Sequence, residues 1–176
     1  MASQSDQLNA WLERLLRFRS PAFRAGLSKA MQAQALELVD EGFASGMDPY
    51  GRAWPRSRAA RARGGQTLRD TGRLQRSFTR DSSADADEIN IGSNTEYAAI
   101  HQFGGFIRAK SAPYLTFRVR GAGGRDSSGR FTAGRRFINV KQVYLPPRPM
   151  LPLRGMPAAW RKALQRAALE YAEVNV

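Results

Sequence analysis

The stretch EYAAIHQFGG, residues 96–105, holds the chain's only histidine, His101, with Ser93 and Glu96 close by in sequence. A serine nucleophile, a histidine base and an acid to orient it are the parts of an acyl-transfer triad, and they work only within hydrogen-bond reach of one another. Nothing else in the chain extends that pattern: there is no nucleophile elbow, no second histidine and no motif of paired acids. A lone histidine beside Tyr97 and Phe103 reads more simply as a packing residue whose ring bonds a backbone carbonyl. Metal chemistry fails on donor count, because one histidine in a chain without cysteine cannot supply the usual three or four ligands. The expectation is a protein that is not an enzyme and uses no metal and no cofactor.

Phosphate-binding loops fare no better. Gly104-Gly105 and the glycines from Gly121 to Gly124 lack both the GxxxxGK[ST] and the GxGxxG spacing, and the second group lies between strands instead of opening a helix. Glycines of this kind serve close approach or a sharp turn. Charge is more telling. The 176 residues carry 24 Arg and 4 Lys against 15 acids, a net +13. Nine arginines and one acid, Asp70, lie between Arg52 and Arg80, and ten basic residues and one acid, Asp126, between Gly105 and Met150. Such stretches suit a polyanion; equally, arginine forks pair well with carboxylates on acidic protein partners. Aromatic interleaving for base stacking is missing and no helix-turn-helix is evident, so any contact with DNA is expected to be blind to sequence. No apolar run approaches the roughly 18 residues of a membrane span, and no leader pattern opens the chain. A soluble protein made in the cytoplasm, without a membrane partner, is expected.

These residues must be positioned by elements that the periodicity outlines. Leu8, Trp11, Leu12, Leu15 and Leu16 form one stripe of an amphipathic helix, with Ser3 or Ser5 as cap. Ser20-Pro21 ends it and starts a second helix with a stripe through Phe23, Leu27, Met31, Ala35, Leu38 and Gly42, ending before Gly46. Asp48-Pro49 with Gly51 is turn chemistry, and Trp54-Pro55 forces an extended step. Residues 56–66 hold no large apolar side chain and read as a solvated helical turn or a mobile loop. LRDTGRLQRSF predicts a short helix carrying Leu74, capped by Asp70 or Thr71; SFTRDSS and EINIGS predict a hairpin about the acidic turn 84–87. A short helix over the histidine stretch follows, then YLTFRVR and FINVKQVYL as a second, longer strand pair. A final helix buries Trp160, Leu164, Ala168 and Tyr171. The class is α+β: a small antiparallel sheet with a long β-hairpin arm, packed on N-terminal and C-terminal helices.

Taken in order, DPYGRAWP, LRDTGRLQRSF, a strand ending INIGS, YAAIHQFGG, a long excursion and PPRPMLPL resemble the phage virion morphogenesis family over roughly residues 20 to 170. These are tail-completion or neck proteins of Mu-like and P2-like tailed bacteriophages. The resemblance makes Trp54, Asp70, Gly72, Leu74, Tyr97, His101, Phe103, Gly104, Gly105, Pro147, Arg148 and Pro149 a structural signature. It departs from the family's pattern in the long Gly-Arg segment at 121–136.

What the resemblance implies is a non-enzymatic virion protein of the head-tail junction. It would occupy the virion neck, and the host cytoplasm during assembly. Its partners would be further copies in a ring, with six as the expected number, and other neck, tail-terminator and head-completion proteins. One domain would span 1–176, with an assembly arm at about 106–147 and a flexible tip at about 121–136. Arg56, Arg58, Arg61, Arg63, Arg125, Arg130, Arg135 and Arg136 are the candidate contacts to DNA or to acidic partners. The rival reading is a basic domain that binds nucleic acid without sequence preference.

Overall fold

The computed structural model describes residues 4–120, 124–125, 131–132 and 135–175. Its helices are α1 (Gln4–Arg19), α2 (Pro21–Ser45), α3 (Arg58–Arg63), α4 (Arg73–Asp81), α5 (Ala98–Phe103) and α6 (Ala158–Asn175). The strands are β1 (Ser83–Ala84), β2 (Ile89–Asn90), β3 (Gly105–Arg108), β4 (Leu115–Arg120), β5 (Gly124–Arg125), β6 (Phe131–Thr132), β7 (Arg135–Val140) and β8 (Gln142–Leu145). This is an α+β chain whose strands form four separate two-stranded antiparallel ladders, in place of the one small sheet expected.

The break between the first two helices is chemical. Ser20 is extended and its hydroxyl accepts from the Phe23 amide at 3.1 Å, while Pro21 takes the first helical position, where no N–H is needed. Gly46 closes α2 in the left-handed region. Ser5 lies inside α1 and so does not cap it; Ser3 lies outside the described residues.

Helix α2 is the central element. It packs on α1, α4, α6 and the β1–β2 hairpin, and its approach to α6 is close enough that a Cβ on Gly26 would coincide with the Tyr171 hydroxyl. Its buried residues are Phe23, Ala35, Val39 and Phe43. Leu27, Met31, Leu38 and Gly42 of the expected stripe are only half-buried, because a helix packed from several directions has no single apolar face. Val39 and Phe43 join Trp54, Leu74, Phe78, Ala98, Met150 and Trp160 in the core. In α6, Trp160 and Leu164 are buried and Ala168 and Tyr171 half-buried.

Two stretches depart from the local reading. Gly72, at φ 72° and with no side-chain cap bond, precedes α4; Asp70 is held 2.8 Å from Arg63 instead of capping, while the Thr71 hydroxyl, one residue further out, accepts from the Arg73 amide at 3.3 Å. SFTRDSS, expected as a strand, is helical as far as Asp81, because Leu74, Ser77 and Phe78 are buried at helical spacing against α2 and the core. Only Ser83–Ala84 pairs as a strand with Ile89–Asn90. The acidic turn between them is tied by Asp85, whose Oδ1 accepts from the Asp87 and Glu88 amides at 2.9 Å each.

The later strands nest into a ribbon. Gly105 faces Leu145, Arg108 faces Gln142, Leu115 faces Val140, Arg120 faces Arg135, and Gly124 faces Thr132. Between the first two ladders the residues from Ala109 to Tyr114 are opposed by Lys141 alone, so the single strand expected over 137–145 is split between two partners. Of the expected tip at 121–136, residues 121–123, 126–130 and 133–134 lie outside the described residues. Among the described residues no helix is long and apolar enough to cross a membrane.

Candidate assembly site

A segment without periodic structure, PPRPMLPLRG at 146–155, follows β8 and runs against α5. Prolines remove amide donors from it, and the donors and acceptors that remain must find partners outside a ladder. Three side chains supply them. Gln102, buried on the face of α5 that also buries Ala98, accepts from the Met150 and Leu151 amides at 2.8 and 3.1 Å and donates to the Leu151 carbonyl at 2.8 Å. Trp54 donates its indole N–H to the Pro149 carbonyl at 2.9 Å. The Tyr50 hydroxyl accepts from the Leu153 and Arg154 amides at 3.1 and 2.8 Å and lies 3.1 Å from the Gly155 carbonyl. The turn that presents Tyr50 and Trp54 is closed by Asp48, whose Oδ1 accepts from the amides of Tyr50 and Arg52 at 2.9 Å each.

Gly104 and Gly105 connect α5 to β3, at φ 71° and 143°. Gly104, with ψ −177°, occupies backbone space that side chains exclude. A Cβ there would also fall 2.8 Å from both the Cδ and the N of Pro147 and 3.0 Å from the Leu145 carbonyl. The two ends of the ribbon therefore cross at Gly104. Pro147 packs on it and Phe103, 65 % exposed, faces outward.

Arg148 then turns inward. It is 4 % exposed; its backbone N–H donates to the His101 carbonyl at 2.6 Å, and its Nε donates to the Pro55 carbonyl at 2.8 Å. Asp70, Gly72, Leu74, Tyr97, His101 and Arg148 all line one cavity of about 330 Å³, with Arg63 and Arg73 beside them. Half of the twelve signature residues are thus gathered there. Trp54, Pro147 and Pro149 lie in or against the proline-rich strap, and Phe103, Gly104 and Gly105 at the ribbon's root.

No triad forms. Ser93 Oγ lies 2.6 Å from Ser77 Oγ and accepts from the Thr95 amide at 3.2 Å, and the buried Nδ1 of His101 has no hydrogen-bond partner. Nδ1 therefore makes no ring bond of the expected kind among the described residues, and the residue's backbone carbonyl bonds the Arg148 amide. Burial first, and the Arg148 charge second, push the His101 pKa below the ordinary imidazole value. Burial lowers Arg148 as well, though a guanidinium keeps its proton throughout the neutral range. Among the described residues no three His, Asp or Glu side chains gather as a metal site.

Of the candidate arginines, Arg63 lines this cavity and the others, among the described residues, do not. Arg56, Arg58, Arg61 and Arg63 are all exposed, on or just before α3. That helix is capped by Ser57, whose hydroxyl accepts from the Ala60 amide at 3.0 Å, and is anchored by the fully buried Ala60. Arg63 is paired with Asp70, while Arg56, Arg58 and Arg61 make no ion pair among the described residues. Arg130 lies outside the described residues, as do the side chains of Arg125, Arg135 and Arg136 on β5 and β7.

Gln102 and Tyr50 are what sequence reasoning missed. A glutamine four residues after Ala98 on a buried helical face was the available signal for the first; nothing local marks the second.

A comparison with protein-family models finds a match to the phage virion morphogenesis family over residues 3–171. No curated protein and no solved structure matches the chain.

Proposed function

Because the chain belongs to the phage virion morphogenesis family, we propose that its part in building the virion is that of a neck or tail-completion protein, which forms a ring of identical subunits at the head-tail junction. The observation that carries this reading is the uncovered apolar surface of the ribbon. Phe106, Ile107, Tyr114, Phe117, Phe137 and Tyr144 are each 38–62 % exposed, and the Phe106 and Tyr144 rings meet at a tilt, with centroids 5.1 Å apart, on one two-stranded ladder. A two-stranded ribbon has free edges and is too thin to bury its own aromatic residues. Large exposed apolar surface of this kind belongs against a partner.

Helix α1 carries a second such surface. Its stripe residues Leu8, Trp11, Leu12, Leu15 and Leu16 are 42–62 % exposed within the subunit. The ribbon and α1 give two unlike apolar surfaces, as a head-to-tail contact requires; such contacts close into rings when the rotation permits. The exposed, unpaired Arg56, Arg58 and Arg61 favour a basic lumen around passing DNA, and the same three residues favour the rival reading as a DNA-binding domain. Native mass spectrometry of the full chain over a range of concentrations separates the two. The ring reading expects one discrete high-order species; a chain that stays monomeric, alone and with the other neck proteins, overturns it.

A further inference from the structure

A groove of about 540 Å³ opens where the last turns of α2, the turn that follows it and the start of α6 meet. Leu38, Met47, Met150 and Trp160 line it, with Glu41 and Asp48 among them. Among the described residues no lysine or arginine lines it, in a chain that has 28 of them against 15 acids. Asp48 is half-buried and its Oδ1 accepts from two backbone amides. Glu41 is exposed and makes no ion pair among the described residues. An apolar groove edged by a carboxylate selects an apolar segment that carries a cation.

Helix α1 is such a segment. Its stripe is uncovered within the subunit, and Arg19 continues it: Leu8, Leu12, Leu15 and Arg19 stand at i, i+4, i+7 and i+11, three turns along one face. Arg19 is exposed and also makes no ion pair among the described residues. A helix of 16 residues is marginal in water and is held by what packs on its apolar face. The chain's own α1 cannot reach the groove. Leu8 lies twelve residues before Ser20 and Leu38 eighteen after it, so the far end of the stripe is about 18 Å from the joint between the helices and the near end of the groove about 27 Å along α2. We propose that α1 of one copy seats its leucine stripe in this groove of the next copy, with Arg19 against the Glu41 carboxylate. This rests on the reading that copies stand side by side in an assembly.

The chain has no cysteine, so disulfide trapping reads the contact directly. Full-length Leu15→Cys and Met47→Cys chains, both substituted at exposed positions, are mixed and mildly oxidised, and the link between them is followed on a non-reducing gel. Because a disulfide closes only between Cα atoms within about 7 Å, this link should form at least tenfold faster than one between Leu15→Cys and Leu169→Cys, on α6 outside the groove. Adding Arg19→Glu to the first chain should slow it at least tenfold, and adding Glu41→Arg to the second as well should restore it. Circular dichroism checks each variant, and Leu12→Cys replaces Leu15→Cys if that chain does not fold. No link, a link no faster than the control, or a reversed pair that fails to restore the rate would overturn the proposal. Faster linking of Leu15→Cys to its own kind, or of Phe106→Cys to Met47→Cys, would do the same, by putting α1 against α1 or the ribbon in the groove. The ring reading is scored separately: a fast link in a chain that forms only dimers or open strings supports the seat and sinks the ring, and closed rings without the link do the reverse.

Discussion

The backbone N–H of Arg148 donates to the carbonyl oxygen of His101 across 2.6 Å, and this contact fixes where the strap lies on α5. On one side of it Gly104 lets Pro147 sit against the backbone; on the other, Gln102 holds Met150 and Leu151. His101, Gln102, Gly104, Pro147 and Arg148 thus meet where the ribbon joins α5.

Gly104→Ala is expected to destabilise the chain by about 3 kcal/mol, since its backbone conformation admits essentially glycine alone and the new Cβ meets Pro147. That is roughly 6–12 °C in Tm for a chain of this size. Gly46→Ala is the control: its φ is also 71°, but nothing lies within 4 Å of the added carbon, and a cost of about 1 kcal/mol is expected. Equal losses in thermal unfolding would mean that the Pro147 contact is unimportant.

A pH dependence follows from His101. Burial and then Arg148 oppose its protonation in the fold, while Tyr97 from its own element and Asp70, Arg63 and Arg73 across the cavity face the same space. The folded pKa lies below the unfolded one, so the unfolded chain takes up the proton first. Stability is full above the ordinary imidazole range and is lost as pH falls from that range toward the folded value. Urea midpoints at several pH values between 5 and 8 should show this slope, and His101→Gln should flatten it. An unchanged slope in the variant would assign the effect to other groups.

Phe106→Ser combined with Phe137→Ser should leave the isolated chain nearly as stable as before, within about 1 kcal/mol, because both residues are more than half exposed. Assembly should require at least tenfold higher concentration. Light scattering across a dilution series reads this; a double variant that assembles normally would remove the arm from the interface.

Replacing Arg56, Arg58 and Arg61 with Gln tests the basic surface. If they line a DNA passage, binding to random duplex should lose roughly 0.9 in the slope of log K against log salt for each phosphate contact removed. If they meet acidic protein, assembly fails and the duplex slope stays. No duplex binding at low salt would dismiss the lumen contact.

Much of the fold was legible where local chemistry dominates. Ser20-Pro21 and Gly46 set the bounds of α2 because caps are short-range, and the alternating residues after Pro113 marked the arm. What failed was set by tertiary contacts. The helix carrying Leu74 was legible, but its continuation through Phe78 to Asp81, in a stretch that also reads as a strand, shows only once α2 and the core are there to bury Ser77 and Phe78, and the one-residue opposition of Lys141 to a six-residue stretch splits a strand that looks continuous in sequence. At the site, the histidine stretch stood out by composition, but the role of Gln102 and the burial of Arg148 arise from segments nearly fifty residues apart.

The most direct test of the ring is cryo-electron microscopy of the assembled virion, with the copies of this chain counted around the tail axis at the head-tail junction. The expected result is a closed ring in which the 105–145 ribbon of each subunit lies against its neighbour. A single copy, a position elsewhere in the particle, or subunits whose ribbons touch no neighbour would contradict it.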